Sequence, residues 1–281
     1  DTPYETFLQK MGSYLKDSGK LLIAIENKLG FKYFAGAPED HTDLYFFGIE
    51  GYPDNKSVRT FSKTELSELL EKSGFPYMKY YYPYPDYKFP TEIFTDETLY
   101  KNIYGKEYPV YTENNFAFFS ETAGIKSLVK ERILDKFVNS FLVIAGKKEL
   151  CEEKKILYVK LNQNRKKEFR IQTQIIEEND KKVAVKSAMN PHAVPFVKGL
   201  EDKGKQEVSA KCENLRSIYQ NDEMFYEFLE GETLHQKIKA WADEGDIQSI
   251  VSALEKFYEA YFVNRKKETN YQTEEFCQIF G

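Results

Sequence analysis

Hydrophobic and polar positions divide the chain into short, sharply bounded stretches whose period changes from one to the next. Thr2-Pro3-Tyr4-Glu5 is a capping box with proline at the first helical position. Phe7, Leu8, Met11, Tyr14 and Leu15 follow at helical spacing until Asp17-Ser18-Gly19. Residues 21–25 are an unbroken apolar run, Leu-Leu-Ile-Ala-Ile, which predicts a strand buried on both faces, as inside a parallel sheet. A long polar loop over residues 28–41 leaves its carboxyl end, where open α/β sheets bind ligands. Ser62-Lys63-Thr64-Glu65 is a second capping box ahead of Leu66, Leu69 and Leu70, with Gly74 as the stop.

The strand-like start at Met78 runs into Pro83 and Pro85, which predict an extended segment that is not a central strand. Its cluster of tyrosines reads either as a packing edge or as a platform for a carbohydrate or base. Residues 91–124 carry no regular period and are expected to be irregular. Ile125, Leu128, Val129, Ile133 and Phe137 predict one amphipathic helix, and residues 139–146 a second buried strand.

The pattern then turns to alternation. Leu157, Val159 and Leu161 share one face of a strand over residues 156–161, and residues 169–175 alternate as cleanly. In the run at residues 181–186, Val183 and Val185 share one face while Ala184 and Lys186 share the other. Pro191 opens a helix to about Asp202, and further strands are expected over 207–212 and 224–229. Leu234, Ile238 and Trp241 mark one more helix. Ile247, Ile250, Val251, Leu254, Phe257, Tyr258 and Tyr261 mark another with a wide apolar stripe.

Composition narrows the classes. The 281 residues suggest two domains, and the net charge of −5 argues against a nucleic-acid partner. Cys151, Cys212 and Cys277 lack a Cys-x-x-Cys spacing, which points to a reducing, cytoplasmic setting without zinc or a disulfide framework. The longest apolar runs are far below the ~20 residues that span a bilayer. The absence of an initial Met and the abrupt Phe280-Gly281 end suggest a fragment of a longer protein.

Glu39-Asp40-His41 is the most chemical-looking cluster. His41 suits a general base near neutral pH, and Glu39 or Asp40 can orient its ring; an exposed polar turn after Pro38 fits the same residues equally well. His192 and His235 are expected to be structural or solvent-facing.

The text from Gly19 to His41, and more broadly from Lys20 to Pro90, resembles the fifth-strand region of bacterial class I S-adenosylmethionine-dependent methyltransferases. Strand, helix, strand, insertion and strand over residues 1–147 resemble the last three strands of that α/β, Rossmann-like fold, in which the final strand runs antiparallel between the other two. The resemblance implies methyl transfer to a hydroxyl, with Glu39, Asp40 and His41 as catalytic residues and Asn27 beside the cofactor. The glycine-rich turn and the acidic residue that hold the cofactor in that family do not occur in this sequence. The chain alone is therefore expected not to methylate.

Val183-Ala184-Val185-Lys186 resembles the Val-Ala-Ile-Lys strand of protein kinases. Residues 225–234 resemble the strand-to-hinge step of kinase-like small-molecule phosphotransferases. Residues 154–281, after a linker at 148–153, would then be an α+β kinase-like N-lobe and the start of a larger lobe. Ala184, Phe228 and Leu229 would contact adenine of ATP with magnesium, Lys186 its phosphates, and Glu201 would pair with the lysine. The loop Asn162-Gln163-Asn164-Arg165 departs from this pattern by lacking glycine. The fusion resembles bifunctional bacterial proteins of surface polysaccharide biosynthesis. That implies a glycan or small-molecule acceptor and glycosyltransferases of the same pathway as partners. The rival reading is a non-catalytic module that binds a nucleotide or partner and organises such enzymes.

Overall fold

The computed structural model describes residues 2–53, 58–102, 118–151, 154–205 and 217–261. In the first half, helices α1 (Pro3–Tyr14), α2 (Phe31–Phe34), α3 (Lys63–Lys72), α4 (Leu99–Asn102), α5 (Glu121–Lys130) and α6 (Leu134–Phe137) accompany strands β1 (Lys20–Glu26), β2 (Tyr77–Tyr84), β3 (Glu92–Phe94) and β4 (Ser140–Gly146). The second half holds β5 (Lys155–Leu161), β6 (Ile171–Glu178), β7 (Lys181–Ala188), α7 (Val194–Lys205), β8 (Ser217–Gln220), β9 (Glu223–Glu227), α8 (Leu234–Glu244) and α9 (Ile247–Tyr261). The protein is mixed α/β with one large sheet in the order β1-β4-β2-β3-β5-β6-β7-β9-β8, every neighbouring pair antiparallel. Both expected capping boxes form, at Thr2 with Glu5 and at Ser62 with Glu65.

The last strand of the first half, β4, inserts between β1 and β2, antiparallel to both, so β1 and β2 run in the same direction. Phe141, Val143 and Ala145 of β4 are fully buried under Leu8, Leu66, Leu70 and Phe75, which arrive from α1, α3 and the turn after α3. Directly opposed residues share a face. The rows Ile23–Val143–Tyr80 and Tyr82–Phe94–Tyr158 therefore all point to this helix-covered side. Beneath the core, Lys63 Nζ reaches Tyr82 Oη at 2.6 Å and Asp135 Oδ2 at 2.9 Å, tying α3 to β2 and α6.

Several expectations are corrected. The apolar run at 21–25 is not buried on both faces: β1 is an edge strand of the described sheet, and Leu22 is 64% exposed. An unbroken apolar run fits a strand covered on one side as well as on two. Its outer face continues through Leu142 and Ile144, opposite Ala24 and Leu22. Pro83 lies within β2, a central strand, because pairing with β4 stops at Tyr81 and only β3 pairs alongside residues 82–84. The stretch 91–124 contains β3, α4 and the start of α5, and the single helix expected over 125–137 is two, α5 and α6. The strand expected at 207–212 lies outside the described residues; the strand preceding β9 is β8, at 217–220.

The linker expected at 148–153 falls between β4 and β5, yet β3 pairs with β2 on one side and β5 on the other, so the sheet continues across it. No described helix is long and apolar enough to cross a membrane.

One-sided cover sets unequal costs. Phe141→Ala, which empties a site walled by Tyr80 and Tyr82 with ring centroids at 5.5 and 6.5 Å, is expected to cost about 3–5 kcal/mol. Leu22→Ala on the open face is expected to cost under about 1 kcal/mol. Urea midpoints of the two variants check this, and equal losses would show that the outer face is covered after all.

Candidate functional site

The carboxyl end of β1 leads into a buried charged cluster. Glu26 and Asn27 close the strand at 3% and 0% exposure, and the chain turns through Gly30 into α2. Asn27 is a tie between segments. Its Nδ2 donates to the Lys136 and Val138 carbonyls, both at 2.8 Å, and its Oδ1 accepts from the Leu29 N–H at 3.0 Å. Lys32, at 5% exposure, extends Nζ to Asp40 Oδ2 at 2.7 Å and towards Asp86 Oδ2 at 3.5 Å. Asp40 also accepts a hydrogen bond from the Tyr33 hydroxyl. Lys88 bridges the far side, with Nζ 2.6 Å from Glu26 Oε1 and 3.3 Å from Asp40 Oδ1. Tyr87 Oη donates to Glu26 at 3.2 Å.

The three residues expected to be catalytic occupy different settings. Glu39 is buried. Its Oε2 accepts from the backbone N–H of His41 and of Thr42, both at 2.9 Å, and its Oε1 from Tyr52 Oη at 3.1 Å. It therefore shapes the loop that presents His41. Asp40 belongs to the Lys32–Lys88 cluster. His41 is exposed.

Electrostatics follow from this packing. Burial works against ionisation of Asp40, but the Lys32 charge and the hydrogen bonds from Lys32 and Tyr33 prevail and hold its carboxyl below the ordinary value. The Tyr33 hydroxyl is pushed far up by burial and by the Asp40 charge. Burial also lowers Lys88, but its hydrogen bond to Glu26 and the Asp40 charge outweigh this and raise it. Glu121, at the start of α5, is pushed up to about 7 by burial, with Lys32 opposing. Among the described residues its Oε2 has no hydrogen-bond partner. Gly124 lets α5 approach the α2 loop: a Cβ there would lie 2.5 Å from Phe31 Cζ.

In the second half, Ala184 opposes Tyr226 and Lys186 opposes Met224 across β7 and β9. Met224 and Tyr226 pack with Val197, Phe196 and Leu200 of α7, so Ala184 and Lys186 share the face on which the helix lies. Lys186 is half-buried, its Nζ 4.9 Å from the Tyr226 ring centroid; burial first, then the Arg165 charge, lower it. Glu201 lies half-buried on α7 near Tyr219 of β8, whose hydroxyl is raised first by its hydrogen bond to Asp222, then by burial and the Asp222 charge, and last by the Glu201 charge. Phe228 and Leu229 follow β9. The Lys182 Nζ sits 5.9 Å from the Phe228 ring centroid, and Leu229 is 66% exposed.

Sequence reasoning missed Glu26, Lys32, Asp86, Lys88 and Glu121. The one available signal was charge at strand ends: Glu26 closes β1, and Asp86 and Lys88 follow β2 after its prolines. Among the described residues, no group of three or more potential metal ligands forms.

Glu121 gives a pH test. Its folded-state value lies above the ordinary 4.5, so the folded protein holds a proton that the unfolded chain has released between about 4.5 and 7. Stability attributable to it is present below that window and is lost as pH rises through it. Glu121→Gln is expected to remove this loss, on the order of 2 kcal/mol between pH 5 and pH 8. Melting curves at both pH values check it, and parallel behaviour of the two proteins would contradict it. Compared with known proteins, the chain matches no family model, no curated protein and no solved structure.

Proposed function

We propose that the chain is part of a cytoplasmic S-adenosylmethionine-dependent methyltransferase acting on a hydroxyl of a glycan or small molecule. The setting is bacterial surface polysaccharide synthesis, and a kinase-like phosphotransferase module is attached. One observation carries the reading: β4 lies antiparallel between β1 and β2, and the loop bearing His41 leaves the carboxyl end of β1. The exposed imidazole of His41 takes the proton of the acceptor hydroxyl as its oxygen becomes nucleophilic. Glu39 positions His41 through its backbone N–H.

The described residues of this chain offer no cradle for the methyl donor. No Gly-x-Gly occurs, and Asn27 spends its side chain on backbone groups. No step is drawn through that cofactor.

In the second half, the packing of α7 on the face of Ala184 and Lys186 supports the kinase-like reading. ATP with magnesium, when bound, supplies the phosphoryl group. Lys186 attracts its phosphates as a point charge, and Ala184, Phe228 and Leu229 offer apolar surface to adenine. Glu201 is the lysine's partner in this reading. The alternative is a non-catalytic module that binds a nucleotide or a partner such as a glycosyltransferase, favoured by the glycine-free loop Asn162-Gln163-Asn164-Arg165.

Methyl transfer from labelled S-adenosylmethionine to hydroxyl acceptors by the natural gene product tests the first reading. His41→Ala is expected to lower turnover about 100-fold or more with cofactor affinity unchanged. Undiminished turnover in the variant would return His41 to a polar turn. Bound ATP without phosphoryl transfer would select the binding module.

A further inference from the structure

A second polar site lies between the helices of the first half and α7, on the same side of the sheet. The row Tyr84–Glu92–Lys160–Thr173–Lys186 crosses five adjacent strands by direct pairing, so these side chains share one face. Over its first three members opens a groove of about 490 Å³. One rim is Phe89 and Pro90, from the loop between β2 and β3. The other is the turn Asn162-Gln163-Asn164-Arg165 between β5 and β6.

The geometry points to this groove as a binding site for a phosphorylated sugar, its phosphate held between Lys160 and Arg165 and its ring against Phe89. Among the described residues neither cation has a carboxylate partner. The one carboxylate of the groove, Glu92, is buried and accepts from the Tyr158 hydroxyl. Two cations against one internally committed carboxylate leave a net positive floor and rim. An arginine fork and a lysine point charge are the usual pair for a phosphate ester. Phe89 is 48% exposed, an apolar surface open to the C–H face of a pyranose. The Asn162 and Asn164 amides of the opposite rim can serve hydroxyls as donors or acceptors. Gln163 closes the rim through Nε2 to the Pro90 carbonyl at 3.5 Å.

The inference rests on neither the methyl-transfer nor the nucleotide reading. Lys186 stands two strands beyond Lys160 and does not line the groove.

Isothermal titration of the protein with glucose 1-phosphate, glucose, inorganic phosphate and ATP tests it. Glucose 1-phosphate is expected to bind at least ten-fold tighter than glucose and tighter than inorganic phosphate. Arg165→Ala and Lys160→Ala are each expected to weaken it at least five-fold. Arg165 and Lys160 are exposed, and circular dichroism confirms that the variants stay folded. The remote Lys237→Ala is expected to change glucose 1-phosphate binding less than three-fold. No saturable binding of glucose 1-phosphate, equal binding of glucose, or binding indifferent to Arg165 and Lys160 would each overturn the assignment. So would glucose 1-phosphate binding that adenosine displaces, since the groove would then belong to a nucleotide. Failure of ATP to bind while glucose 1-phosphate does would sink the nucleotide reading and leave this one standing.

Discussion

Burying the ammonium of Lys32 is the constraint around which the first half is arranged. A lysine at 5% exposure is tolerable only when its charge is met, because an unpaired buried ion costs several kcal/mol. The partners come from distant parts of the chain. Asp40 lies on the loop after α2, and Asp86 on the loop after β2. Meeting that charge therefore fixes two loops against each other at the carboxyl end of β1. Lys88 completes the arrangement from the solvent side by joining Glu26 to Asp40. The result is an acid-rich cluster with an exposed histidine beside it, held by long-range pairs.

This accounts for what could be read from the sequence. Caps are local: Thr2 with Glu5 and Ser62 with Glu65 stand three residues apart, and both helices begin where their side chains demand. Alternation is local too, and β5, β6 and β7 appear where it ran. Lys32 with Asp86 spans 54 residues, and no short window contains both. Cover is likewise a tertiary property. Leu22 and Ile23 are equally apolar, but among the described residues the helices of the core pack on the side of Ile23. The prolines of β2 misled for a related reason. A missing N–H excludes a residue only from the side where a partner strand is bonded, and the pairing of β2 with β4 stops at Tyr81, before Pro83.

The short strand β3 has an effect out of proportion to its three residues. It pairs Tyr82, Pro83 and Tyr84 with one edge and Lys160, Val159 and Tyr158 with the other, so two differently patterned halves share one sheet. Thr95 and Thr98, just after it, both donate to the Leu157 carbonyl, at 2.9 and 2.8 Å. Those bonds fall beside the β5 irregularity between Ile156 and Tyr158, where a carbonyl released from the ladder needs a donor.

The loop between β2 and β3 links the two polar sites. Its first part carries Asp86, Tyr87 and Lys88 into the Lys32 cluster, and the Tyr87 N–H donates to Ser140 Oγ at 2.9 Å at the start of β4. Its second part carries Phe89, Pro90 and Thr91 to the groove, and the Thr91 carbonyl accepts from the Leu161 N–H at 2.8 Å at the end of β5. Anchors at both ends leave the loop little freedom to shift one site without the other. The cluster at the end of β1 and the groove beside β5 are thus two sides of a single seven-residue connection, held in register by the sheet that runs beneath both.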